Sequence, residues 1–334
     1  MTDYSNITWT NGTETMVELS LTPPKLSAIQ GNIIAIYLTA VGILSLIGNG
    51  ITIVVICRFQ KLRTTANIFI ANLAAADLAI TVFTFPFSII SHFYNGWPFG
   101  ADICRWYGFN SMLFGFGSIA FLAAISSDRY IVTCKHELYC RFSKRHYFIV
   151  SILLWTNSMI WAAAPFMGWG CYDLDDTGVL CTISWTCHGR AAFVSFVYAV
   201  AVVCFIFPCC VIMVSYRKTY QFIKAVGGGG SQENIEWTHQ KQITKMCVVA
   251  VILFLVAWTP FTVYFLVISI KEVGTLPALF HVIPAVFAKS STCYNPVVYA
   301  IINKRFRIAI QKTLLCEKNV NDLDCIPMRR ISQR

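Results

Sequence analysis

Long uncharged apolar stretches recur along the whole chain, separated by short polar connections. Seven of them, near residues 32–57, 67–92, 104–131, 148–168, 191–216, 243–270 and 277–302, are long enough to cross a membrane, which takes roughly 20 mostly apolar residues in a helix. The pattern predicts an all-α membrane protein, with an outer tail over 1–31 and one seven-helix bundle over 32–302. Pro86, Pro165, Pro208, Pro260 and Pro296 fall inside or near the ends of these runs. Neighbouring helices can satisfy the carbonyls such prolines free, so kinked helices around an internal cavity are expected. After the last run, apolar Phe306, Ile310 and Leu314 alternate with basic residues. This predicts a short amphipathic helix over 303–316, lying on the membrane surface, and then a tail over 317–334.

Composition agrees. Of 334 residues 56% are hydrophobic and only 13% charged, against about 25% charged in soluble proteins. A water-soluble enzyme and a disordered chain are both excluded. The net charge of +10 does not mark a nucleic-acid partner, because of where it sits. Lys25, Arg105, Arg190, Lys271 and Lys289 apart, every Lys and Arg lies in 58–63, 129–145, 217–245 or 304–334. Basic residues gather on the cytoplasmic side, which places the N-terminus outside and the C-terminus inside. Asn6 and Asn11 begin N-glycosylation sequons on the side so assigned. The first 30 residues carry no apolar core of a signal peptide, so the first helix is expected to act as its own insertion signal.

The 14 cysteines mostly lie within apolar runs, where the thiol acts as a small hydrophobe. No metal-ligand spacing occurs, so no metal site is expected. Cys104, Cys171, Cys181 and Cys187 fall on the oxidising side. Cys316, at the end of the amphipathic helix, is a candidate for lipidation. Gly227-Gly228-Gly229-Gly230-Ser231 reads as an engineered flexible linker (227–231) replacing a longer third cytoplasmic loop.

Several landmarks fall in order on the seven runs. They are Gly48-Asn49, Leu73 to Asp77, Cys104 with Asp128-Arg129-Tyr130, Trp155, Pro208, Ala257-Trp258-Thr259-Pro260 and Asn295-Pro296-Val297-Val298-Tyr299. From Cys104 to Asp128 a helix rises about 37 Å, which spans the membrane and leaves the Asp-Arg pair at its cytoplasmic edge. Together these landmarks resemble the rhodopsin-like G-protein-coupled receptors over nearly the whole chain.

Lys289 separates the chain from most such receptors. It lies 12 residues into the seventh run, where a charged lysine costs roughly 2.5–3.5 kcal/mol even on lenient scales. It is too far from either end to reach the surface. A desolvated amine is a nucleophile toward aldehydes. Six residues before Asn295 is also where opsins carry the lysine that binds retinal as a Schiff base. The stretch Phe287 to Thr292, the loop Asp176 to Trp185 and Gln242 to Met246 resemble the peropsin and retinochrome-like opsins in particular.

That resemblance implies retinal, all-trans or 11-cis, as cofactor and a set of roles. Trp258, Tyr264, Phe261, Tyr107, Phe114 and Phe205 would line its pocket. Visual pigments place a counterion where this chain has Tyr107, which is not an anion at neutral pH. Other opsins place an acid six residues before the loop cysteine, here Asp175. A partner charge at about 4 Å is worth several kcal/mol at an effective dielectric near 20. Cys104 and Cys181 would pin that loop over the third helix; a second bridge between Cys171 and Cys187 stays open. Asp77, Asn49 and Asn295 would form a polar hub, with Asp128, Arg129, Pro296 and Tyr299 as activation switches.

Three functions compete on this reading. One is a light-activated receptor for a heterotrimeric G protein, favoured by the complete Asp-Arg-Tyr and Asn-Pro-x-x-Tyr sets. Another is a retinal photoisomerase, favoured by the retinochrome-like segments. A light-driven pump needs a path of membrane carboxylates, and Asp77 and Asp128 alone do not make one.

Overall fold

The computed structural model describes residues 25–184, 186–227, 235–270 and 276–315, with side chains left out at 226–227 and 235–240. Asn6, Asn11, Cys316 and most of the glycine linker lie outside the described residues. The helices are α1 (Ala28–Arg58), α2 (Thr65–Tyr94), α3 (Gly100–Cys134), short α4 (His136–Tyr139), α5 (Lys144–Ala163), α6 (Gly189–Val200), α7 (Phe207–Gly227), α8 (Ile235–Ile270), α9 (Ala278–Ser290), α10 (Tyr294–Ile302) and α11 (Lys304–Leu314). Two strands, β1 (Cys171–Leu174) and β2 (Cys181–Ser184), pair antiparallel with Tyr172 opposite Ile183 and Leu174 opposite Cys181. Among the described residues six helical segments are long and apolar enough to cross a membrane.

The seventh apolar run spans the same bundle but is not one unbroken α-helix. A 3-10 turn at Ser291–Cys293 separates α9 from α10. The cause is chemical. Pro296 has no N–H, so the Thr292 carbonyl four residues earlier loses its helical partner. Asn49 Nδ2 donates to that carbonyl at 2.8 Å and Ser45 Oγ at 3.3 Å, so the freed acceptor is satisfied from α1. A similar break precedes Pro208: residues Ala201–Ile206 form a π-helical stretch between α6 and α7. Such bulges are commonly found at functional sites.

Helix α3 is the central post, packing against α2, α5, α7, α8 and both strands. Two devices start α1 and α11. Ser27 and Gln30 cap α1 reciprocally, and Asn303 accepts from the Arg305 and Phe306 amides at the start of α11. Phe306 and Ala309 of α11 are buried against the bundle, while its basic residues are not.

Candidate functional site

The Lys289 side chain is buried, with 8% exposure. Its Nζ donates to Thr84 Oγ1 at 3.1 Å and lies 4.8 Å from the Tyr107 ring centroid and 5.7 Å from that of Phe85. Ring faces attract a cation, but no described carboxylate pairs with it. Tyr107 in turn reaches Ser88 Oγ at 3.5 Å. The elements that converge here are α2, which carries Thr84, α3, which carries Tyr107, and α9, which carries the amine.

Near this amine lies an apolar cavity. Met112, Gly115, Phe116 and Ile119 of α3 form one wall, and Phe254, Trp258, Phe261 and Phe265 of α8 another. The π-helical stretch contributes Ala201, Cys204 and Phe205, and β2 closes it with Ile183. Of the expected pocket residues, Trp258, Phe261 and Phe205 line this cavity. Tyr107 faces Lys289 instead. Phe114 does not line it: the α3 positions that do are 112, 115, 116 and 119, and Phe114 points between Phe83 and Trp155. Tyr264 also turns away, its hydroxyl 2.7 Å from His281 Nδ1.

Lys289 is not part of the cavity wall either. Trp258 bridges the two: its indole faces the cavity and donates to Ser291 Oγ at 3.0 Å, two residues past Lys289. Gly115 makes this fit possible, because a Cβ there would stand 2.6 Å from Trp258 Cη2.

The hairpin β1–β2 covers the site. Cys181 is bonded to Cys104 of α3, and Cys171 to Cys187. Tyr172 packs its ring on Gly108 and donates to the Ala162 carbonyl at 2.8 Å. Asp175 closes the turn between the strands. It accepts from Thr177 Oγ1 at 2.6 Å and from the Val179 and Leu180 amides at 3.2 and 3.1 Å. Desolvation pushes its carboxyl up from the ordinary range, against the pull of these donors and of His281. Asp175 and Lys289 form no direct pair, so the acid is tied first to its own loop.

Below Lys289 the polar residues form one network. Asp77 accepts from Asn295 Nδ2 at 2.9 Å and from Ser118 Oγ at 3.0 Å. Asn49 joins through Ser45, whose hydroxyl lies 2.7 Å from that of Thr81, and Thr81 bonds the Asp77 carbonyl. At the far end Arg129 pairs with Asp128, which also accepts from the Tyr147 hydroxyl. Tyr299 is buried against Phe306, with ring centroids 5.6 Å apart. Thr84 and His281 lie outside every motif in the sequence, and the stretches that contain Ile183 and Ser291 give no sign that one lines the cavity and the other accepts from Trp258.

The sequence matches the 7 transmembrane receptor (rhodopsin family) over residues 48–299. The chain belongs to this family of membrane-spanning receptors. Among opsins it is similar to the visual pigment-like receptor peropsin of Homo sapiens, 34% identical over 293 residues that cover 87% of each chain. It is also similar to Opsin-5 of Mus musculus, 32% identical over 84% of this chain and 76% of that one. The crystal structure of squid rhodopsin superposes with a TM-score of 0.81 at 28% identity, covering 92% of both chains.

Proposed function

We propose that this protein is a light-sensing opsin of peropsin type that carries retinal on Lys289 and signals to a heterotrimeric G protein. The observation that carries the reading is the buried, unpaired amine near an apolar cavity. A long apolar group with one carbonyl end fits this arrangement: the cavity accepts its body and Lys289 its end. When bound through a protonated Schiff base, retinal supplies visible absorption and a light-driven change of shape.

The chain's own residues do the rest. Thr84 and Tyr107 hold the Lys289 nitrogen in place, the former as acceptor and the latter through its ring face. Trp258 touches both the cavity and the turn after Lys289, so a change of shape in the cavity moves α8 against α9. Asp175 is the candidate counterion, supplied by a hairpin whose position Cys104 and Cys181 fix. Asp128, Arg129 and Tyr299 close the inner end, and the charge distribution supports an outer N-terminus with glycosylated Asn6 and Asn11, and an inner C-terminus with lipid on Cys316. The resting Arg129–Asp128 pair favours signalling over isomerase activity alone.

The test is direct. Membranes containing the protein are incubated with retinal and then denatured in acid, which traps a protonated imine. Wild type should yield the adduct, and Lys289→Ala should express without it. An adduct of normal yield in Lys289→Ala overturns the reading.

A further inference from the structure

The hairpin acid has a neighbour that no landmark marks. His281, on the buried side of α9, is 4% exposed. Its Nδ1 lies 2.7 Å from the Tyr264 hydroxyl, with the rings edge-on at 5.7 Å. Its Nε2 is buried without a partner. When a phenol donates to Nδ1, the neutral imidazole carries its proton on Nε2, and that atom is then a buried donor in search of an acceptor. The acid of the hairpin turn is Asp175, which lies within electrostatic reach of both His281 and Tyr264. The segments also pack together. Val179 and Leu180, whose amides hold Asp175, share an apolar cluster with Ala278 and Val282 on either side of His281.

We propose that His281, oriented by Tyr264, is a positioning residue that partners Asp175 across the hairpin–α9 boundary and sets how much negative charge the hairpin presents to Lys289. This rests on Asp175 as counterion. If the imidazole takes a second proton, at Nδ1, the Tyr264 oxygen changes from donor to acceptor and the hydrogen bond survives. The resulting imidazolium compensates the Asp175 carboxylate. A neutral imidazole leaves that charge to Lys289.

The titratable groups around the trio are few. Asp176 acts on Tyr264 from the same hairpin. Lys289 lies two turns along α9 and acts on His92 of α2. Asp173 is engaged elsewhere, accepting from Thr186 at 2.7 Å. Lys271 and Glu272, in the α8–α9 connection, lie outside the described residues.

The experiment uses the full-length protein without retinal, in lipid nanodiscs, and follows carboxyl protonation by infrared spectroscopy across the acid-to-neutral range. The band absent from Asp175→Asn identifies the group. In His281→Gln that band should persist to higher pH, by about one unit, a tenfold gain in proton affinity, because the imidazole partner that favours the carboxylate is gone. Tyr264→Phe should shift it in the same direction by less, and serves alone if His281→Gln does not fold. An Asp175 titration unchanged in a folded variant of either kind overturns the proposal. The counterion reading fails separately: retinal-loaded Asp175→Asn would stay visible at neutral pH while the infrared shift remained.

Discussion

Asp175 is held by three donors of its own turn, yet desolvation still outweighs them and raises its proton affinity. Linkage gives the sign. The folded chain keeps this proton above 3.8, the ordinary value, where the unfolded chain has lost it. Stability is therefore greatest below that value and falls as pH rises through the raised one. Thermal unfolding of the retinal-free protein should show this decline, and Asp175→Asn should flatten it; an equal slope in the variant contradicts the burial argument. The same residue makes a spectral prediction. With retinal bound, Asp175→Asn should move absorption at neutral pH from the visible to the near-ultraviolet and recover colour on acidification, since desolvation then opposes the charged nitrogen unaided. Asp173→Asn and Asp176→Asn should leave the spectrum nearly unchanged; bleaching by one of them would transfer the role to it.

At the scale of elements, close backbone approach decides which glycines matter. In α1 a Cβ on Gly48 would stand 2.8 Å from the Cβ of Pro296, whereas one on Gly50 meets nothing within 4 Å. Gly48→Ala must push α10 off α1 and with it the Asn49 bond to Thr292; overpacking of this kind typically costs about 1–3 kcal/mol. Gly50→Ala should be neutral or stabilising, by up to about 1 kcal/mol, from helix propensity alone. Paired melting curves check both, and equal effects would show that the α1–α10 contact is not tight. The helices, their order and the burial of Lys289 were legible in the sequence, because length, charge placement and motif spacing survive without coordinates, whereas Asp175 was singled out by the resemblance to opsins alone. The faces of the helices were not. A membrane helix is apolar all round, so periodicity cannot say that Phe114 turns toward Trp155 or Tyr264 toward His281. A kink near Pro296 was legible, but the donor that replaces its missing N–H was not, because Asn49 comes from another helix.

For the molecule as a whole, the hairpin is a small piece packed on α3. It consists of two four-residue strands, too little for independent stability, and it is joined to the bundle at Cys104. The two disulfides therefore do different work. The Cys104–Cys181 bond closes a span of 77 residues between α3 and β2, and the Cys171–Cys187 bond only 16 within the loop that carries the hairpin. On a chain-entropy view these are worth roughly 4–5 and about 3 kcal/mol. Their positions separate them further. Loss of the first frees Ile183 from the cavity and Asp175 from its place above the bundle, whereas loss of the second leaves β2 anchored to α3. Cys181→Ser should therefore lower the melting temperature more than Cys187→Ser and abolish retinal uptake, while Cys187→Ser should still form pigment at reduced stability. Thiol mapping by mass spectrometry on the folded protein identifies which bond each variant retains. Equal loss of pigment in both variants, with the Cys104–Cys181 bond intact in Cys187→Ser, would mean that the bridge within the hairpin loop and not the anchor on α3 holds the hairpin over the site.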